Sequence, residues 1–109
     1  MSQLRTSRAV DHMFYVGGQK RYDEITRLCV AIKDKWLFRP ASAIYIYANN
    51  WETAAWKTFN LLKECLKNYE TTKNVHDVQR AGEYHAELGR ILESVRIVYH
   101  HEFPVKLTF

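Results

Sequence analysis

Apolar residues recur at alternating spacings of three and four through the last part of the chain, from about Val75 to Glu102. Such spacing places them on one face of a helix, so it predicts a single long amphipathic helix. Pro104 is expected to end this helix, because proline lacks the amide hydrogen that a helix interior needs. The apolar face consists of Val78, Ala81, His85, Leu88, Leu92, Val95 and Tyr99.

A second apolar stripe runs beside the first at a spacing of seven, and it consists of Tyr84, Ile91 and Val98. Two stripes indicate that the helix is covered on more than one side. The sequence therefore leaves two alternatives: the helix is central in a bundle, or it also contacts another chain.

The first part of the chain predicts two helices separated by a glycine pair. A short helix containing Val10 and Phe14 is expected to stop at Gly17-Gly18, since glycine readily adopts the left-handed conformation of a helix C-cap. A second helix is predicted from about Gln19 to Phe38 and ends before Arg39-Pro40. Its apolar face consists of Tyr22, Ile25, Cys29, Ile32 and Trp36.

The segment from Ala41 to Asn50 is ambiguous. Residues 44–47 favour a strand by propensity, but no second candidate strand is present to pair with them. Pro40 at a first helical position and Asn49-Asn50 after the apolar run favour a short helix, which is the interpretation we prefer.

A further helix is predicted from about Trp51 to Tyr69, with Asn50 as its cap and residues 70–74 as the link to the last helix. The 109 residues contain only four glycines and two prolines, which argues against a fold of many short strands. We therefore predict an all-α fold: one domain, residues 1–109, forming an antiparallel bundle of four helices, or five if residues 41–50 form their own.

Composition excludes several classes of protein. No apolar run approaches the roughly 18 residues of a membrane span, and the polar Met1–Arg8 segment predicts no signal peptide. The expected location is the cytoplasm of a cell or of an infected host. Cys29 and Cys65 both fall on predicted apolar faces, so we expect reduced, buried thiols rather than a disulfide.

The sequence predicts no cofactor and no metal. Gly17-Gly18 matches no phosphate-binding loop, and no Cys-x-x-Cys pair or helical Glu-x-x-His pair occurs. His100-His101-Glu102 is a dense polar cluster, but adjacent residues point in different directions around a helix. We expect a frayed, exposed helix end there.

Arg80 and His85 stand in the form Arg-x4-His. This form resembles the motif of the HEPN ribonuclease superfamily, whose members are all-helical bundles of this size. The resemblance implies RNA cleavage at a dimer interface, with His85 as acid or base and Arg80 holding the scissile phosphate. It covers six residues, and Ala81 stands where the family usually has a polar residue. No catalytic residue is assigned, because a histidine on an apolar face more commonly satisfies its nitrogens locally.

The net charge of +4 and the pI near 9.1 allow a nucleic-acid partner but do not require one. Segments 19–39 and 51–73 are the most basic, and aromatic residues lie between them, so an RNA- or DNA-binding helical protein is one alternative. The candidate nucleic-acid-binding residues are Lys20, Arg27, Lys33, Lys35, Lys57 and Lys67.

The leading functional hypothesis is a small non-enzymatic interaction module, an accessory or inhibitor protein that acts through protein–protein contacts and forms a homodimer or binds another protein. It depends on the lack of catalytic motifs and on apolar residues beyond those that one core face needs. No membrane partner is expected. The candidate partner-binding residues are Tyr84, Ile91, Val98, Trp56, Tyr45 and Tyr47.

Overall fold

The computed structural model describes the backbone of residues 2–105 and the side chains of residues 12–105. It contains three helices: α1 (Ser2–Lys35), α2 (Ala43–Thr72) and α3 (Val75–Glu102). The described residues form no strand. Each helix contacts the other two. Because α1 and α2 are joined by seven residues and α2 and α3 by two, α2 runs antiparallel to α1 and α3. The all-α prediction is confirmed, but the predicted count of four or five helices is wrong.

α1 is continuous through Gly17-Gly18, where the sequence predicted a helix end. Neither glycine has a positive φ, so neither adopts the left-handed cap conformation. Both lie where another helix approaches closely. A Cβ atom built on Gly17 would lie 2.6 Å from His85 Nε2, and one on Gly18 would lie 3.0 Å from Leu62 Cδ1. The prediction was wrong because the glycines make room for neighbouring side chains rather than for a turn.

α2 joins two segments that the sequence analysis had separated. The preferred helical interpretation of the 41–50 segment is confirmed from Ala43 onward, and the strand alternative is wrong. Ser42 is the N-cap, and its Oγ accepts the amide hydrogen of Tyr45 at 3.3 Å. Pro40 therefore lies before the helix rather than at its first position, and Asn50 lies within the helix rather than capping one. The helix continues past Asn49-Asn50 because the apolar spacing is unbroken. That continuous face is Ile44, Ala48, Trp51, Ala55, Phe59, Leu62 and Leu66.

The bounds predicted for α3 agree with the structure. The link before it is shorter than the predicted 70–74 segment, because α2 continues to Thr72 and leaves only Lys73 and Asn74 between the helices. Lys73 has a left-handed backbone with φ of 57°. Asn74 caps α3, since its Oδ1 accepts the amide hydrogen of His76 at 3.0 Å.

The core is one apolar cluster shared by the three helices. Both stripes of α3 are covered within the same chain, because Ile91 is buried while Tyr84 and Val98 pack against the core. Two neighbouring helices therefore account for the second stripe. The largest fully buried side chains are Ile25, Cys29, Ile32, Leu62, Leu88 and Val95.

Cys29 and Cys65 are both free and buried, as the sequence predicts. Burial, with a smaller contribution from Glu52, raises the pKa of the Cys29 thiol to about 12, and burial also raises that of Cys65.

We expect native protein to react slowly with a disulfide reagent, since the thiolate is the reactive form. In single-cysteine variants followed by absorbance, Cys29 should react only as fast as the protein unfolds. Prompt reaction of Cys29 in native buffer would contradict this burial.

Candidate functional site

Arg80 and His85 do not meet within one chain. Residues five apart on a helix point about 140° away from each other. Arg80 is exposed, whereas His85 is half-buried on the side of α3 that faces α1. There, Arg21 Nη1 lies 3.2 Å from His85 Nδ1 and also donates to the His85 carbonyl oxygen. The predicted ribonuclease pairing would therefore need a second subunit, and it stays a prediction.

His85 belongs to a set of reciprocal contacts between α1 and α3. Its ring occupies the space at Gly17, while Phe14 of α1 lies over Gly82 of α3, where a Cβ would approach Phe14 Cζ to 3.2 Å. The Phe14 and His85 rings also touch, with centroids 5.5 Å apart. Burial first and then the positive charge of Arg21 lower the pKa of His85. Because a guanidinium can only donate, Nδ1 accepts the hydrogen bond from Arg21, and the imidazole fills a slot between the two helices.

Glu102 is the least expected feature, because the sequence predicts a frayed, exposed helix end at this residue. Its side chain is only 7% exposed, and its carboxylate accepts a hydrogen bond from Trp36 Nε1. Lys35 Nζ lies 3.8 Å from Oε1 of Glu102 and donates to the Glu102 carbonyl oxygen. The Nδ1 atom of exposed His101 lies 3.4 Å from Oε2 of the same carboxylate. The Trp36 hydrogen bond, followed by His101 and Lys35, lowers the pKa of Glu102.

This cluster ties the end of α1 to the end of α3, so its evident role is structural. Trp36 had been assigned only to the apolar face of a helix, and nothing in its spacing showed that its Nε1 has a buried acceptor. The described residues contain no group of three or more histidine, cysteine, aspartate or glutamate side chains placed to hold a metal ion.

The candidate basic residues fall into two sets. Lys33 is mostly buried against Glu52, with Nζ 2.8 Å from Oε2, and this close pairing with the carboxylate raises the pKa of Lys33. Lys35 is paired with Glu102, and exposed Arg27 lies 3.7 Å from Glu24. The second set is exposed and has no carboxylate within 4.0 Å among the described side chains. It consists of Lys20, Lys57 and Lys67.

The candidate aromatic residues of α2 do not form one patch. Trp56 is 57% exposed, and Tyr45 is half-buried, with its ring 6.0 Å from Lys33 Nζ of α1. Tyr47 is 56% exposed and stacks on Trp51 with centroids 5.9 Å apart. Because residues two apart point to nearly opposite sides of a helix, Tyr45 and Tyr47 face different neighbours.

Phe38, the most exposed of the large apolar side chains that the structure describes, lies in the turn between α1 and α2, a segment not singled out from the sequence. Phe38 is 95% exposed and Leu37 is 58% exposed. Both lie off the apolar stripe that ends at Trp36, which is the signal that could have identified them. Lys35, Trp36, Phe38 and Arg39 line a shallow depression of about 260 Å³ beside the turn.

Comparison with protein-family models, with curated proteins and with solved structures finds no match for this chain. Among the described residues, no helix combines the length and the apolar character needed to cross a membrane.

Proposed function

We propose that the protein is a non-enzymatic interaction module that self-associates through the α1–α2 end of the bundle. The observation that carries this proposal is Phe38, a phenylalanine with 95% of its surface in water. The start of α2 and the end of α3 lie at the same end of the bundle as Phe38, and each of these parts also carries exposed apolar residues. We call this set the turn surface, and it comprises Leu37, Phe38, Ile46, Tyr47 and Val105.

Contiguous exposed apolar area usually marks an interaction site, and buried aromatic residues dominate the binding energy of interfaces. The turn is also held in place by its own hydrogen bonds. The amide of Arg39 donates to the Trp36 carbonyl at 2.9 Å, and the amide of Ser42 donates to the Arg39 carbonyl at 3.0 Å. A turn that is already ordered loses less conformational entropy when Phe38 docks.

A second copy of the chain is the partner we infer for this surface, since exposed apolar side chains can cover their counterparts across a twofold axis while Lys35 and Arg39, which lie beside Phe38, stay at the rim. The patch does not include the second stripe of α3, which is covered within the chain. Of the partner-binding residues named from the sequence, Tyr47 belongs to the turn surface, while Trp56 and Tyr45 lie on the other side of α2.

Replacing Phe38 with glutamate tests the proposal, because it places a charge at the centre of the turn surface. We expect the molar mass of the wild type, measured by light scattering over a concentration series, to rise toward that of a dimer. For Phe38→Glu the dissociation constant should increase about thirtyfold, corresponding to ~2 kcal/mol.

Val75→Glu is the matched control, because Val75 is 73% exposed at the opposite end of the bundle. A glutamate at this first position of α3 also suits the helix dipole, so the variant should remain folded. It should self-associate like the wild type. A wild type that stays monomeric, or a Phe38→Glu variant that associates equally well, would refute the proposal.

A further inference from the structure

A groove between α1 and α2 combines aromatic rings with polar side chains on the outer surface of the bundle. Phe59 forms its floor, with the Tyr22 ring stacked at a centroid distance of 5.2 Å and the Tyr15 ring at 6.1 Å. Trp56 forms its edge and is 57% exposed. Tyr22, Trp56 and polar residues of α2 line a depression of about 230 Å³ there. Two of these aromatic side chains, Tyr15 at 43% and Trp56 at 57% exposure, are therefore accessible to solvent along this groove.

The α2 side of the groove is a single stripe at alternating spacings of four and three. It consists of Asn49, Thr53, Trp56, Asn60, Lys63 and Lys67. These spacings place all six on one face of the helix. The stripe contains amides, a hydroxyl, an indole and two cations, and no carboxylate.

The charge of the groove is positive. Lys63 Nζ lies 4.9 Å from the centroid of the Phe59 ring, and Lys67 is exposed one turn further along α2. Neither lysine has a carboxylate within 4.0 Å in the part of the chain whose side chains are described. The one acidic residue lining the depression is Glu52, and Lys33 neutralises it at 2.8 Å.

We propose that this α1–α2 groove binds single-stranded nucleic acid. Exposed rings that bases can stack on, next to cations that contact the phosphates, are how proteins bind single strands without strict sequence preference. Trp56 and Tyr15 supply the rings, and Lys63 and Lys67 supply the cations. The bases must be unpaired to reach the rings, because a duplex keeps its base faces stacked on one another. This site is separate from the turn surface.

Fluorescence anisotropy of labelled oligouridylate and oligothymidylate tests the proposal and distinguishes RNA from DNA. Trp56→Ala should weaken binding of the favoured oligonucleotide about tenfold. At low salt, the double variant Lys63→Gln with Lys67→Gln should weaken oligonucleotide binding more than Trp56→Ala does. It should also reduce the slope of log K against log salt concentration by roughly 0.7 for each phosphate that is no longer neutralised.

Two matched controls remove the same groups elsewhere. Tyr47→Ala deletes an aromatic ring of similar exposure on the other side of α2, and Lys20→Gln with Arg27→Gln removes two exposed cations from the face of α1 that points away from the groove. Both controls should bind like the wild type.

The proposal is overturned if the wild type binds neither oligonucleotide at low salt, or if the controls weaken binding as much as the groove variants. It is also overturned if duplex DNA or polyglutamate competes as well as the single strand, since either result would mean that charge alone is recognised. Phe38→Glu should bind the oligonucleotide normally, and Trp56→Ala should self-associate normally. The proposal for the groove and the proposal for the turn surface can therefore be refuted independently, because the first is measured by oligonucleotide binding and the second by self-association.

Discussion

Replacing Gly17 with alanine is expected to lower the free energy of unfolding by about 2 kcal/mol, the size of effect seen when a methyl group is forced into a packed interior. The same change at an open helical position would raise stability by up to about 1 kcal/mol, because alanine favours the helix. The sign reverses here because the new Cβ would lie 2.6 Å from His85 Nε2. His85 could move away only by giving up its contacts with Arg21 and Phe14.

A double-mutant cycle with His85→Ala separates this clash from any general intolerance of the position. Removing the ring empties the slot, so Gly17→Ala should cost little in the His85→Ala background. The coupling between the two changes in urea unfolding should be at least about 1 kcal/mol. Gly89→Ala provides a comparison, since its Cβ would meet only the guanidinium of Arg21 at 2.9 Å, the end of a flexible side chain. Additive costs for Gly17→Ala and His85→Ala would show that the slot is not tight.

The glycines also show why part of the fold was predictable and part was not. The bounds of α3 followed from its apolar spacing and from Pro104, both of which are local signals. Gly17-Gly18 gives the same local signal whether it ends a helix or admits a side chain from another helix. Only the positions of His85 and Leu62, far away in sequence, decide between the two. The continuity of the helix through these glycines therefore could not be inferred from α1 alone.

Residues 44–47 of α2 are a second case in which the local sequence signal differs from the structure. Their β-branched and aromatic side chains favour a strand, but propensity is a weak preference that tertiary packing overrides. Ile44 and Ala48 continue the face that Trp51 and Ala55 form against the core, and this continuity carries the helix past Asn49-Asn50. Spacing was the better guide here than residue type.

The candidate surfaces were less predictable than the helices. The exposure of Phe38 depends on where the turn directs it, and the burial of Glu102 depends on Trp36, 66 positions away. The sequence did name Trp56 as a candidate partner-binding residue, and the structure leaves it 57% exposed. Lys33 shows the limit of predicting a basic surface from sequence, because only the structure shows that Glu52 neutralises this lysine.

Replacing Glu102 with alanine is expected to lower the free energy of unfolding by about 2 kcal/mol, the typical worth of a hydrogen bond to a charged acceptor. The change leaves Trp36 Nε1 without its acceptor and Lys35 without its carboxylate. Urea unfolding at neutral pH measures the loss.

Glu93 is an exposed carboxylate on the same helix, so Glu93→Ala should change the free energy of unfolding by less than about 0.5 kcal/mol. In a Trp36→Phe background the cost of Glu102→Ala should fall, and an unchanged cost would show that the hydrogen bond contributes nothing.

The pH dependence of stability provides a second test of the same carboxylate. The folded-state pKa of Glu102 is below its ordinary value of 4.5, so the unfolded chain binds more protons in this range. Its stabilisation is therefore complete above about pH 4.5 and is lost as pH falls through the folded-state value, and Glu102→Gln should reduce that loss. His85 acts in a separate window, because its pKa is lowered from 6.5 and stability should already decline below that pH. His85→Ala should remove only the upper decline, so an identical pH profile for both variants would contradict these assignments.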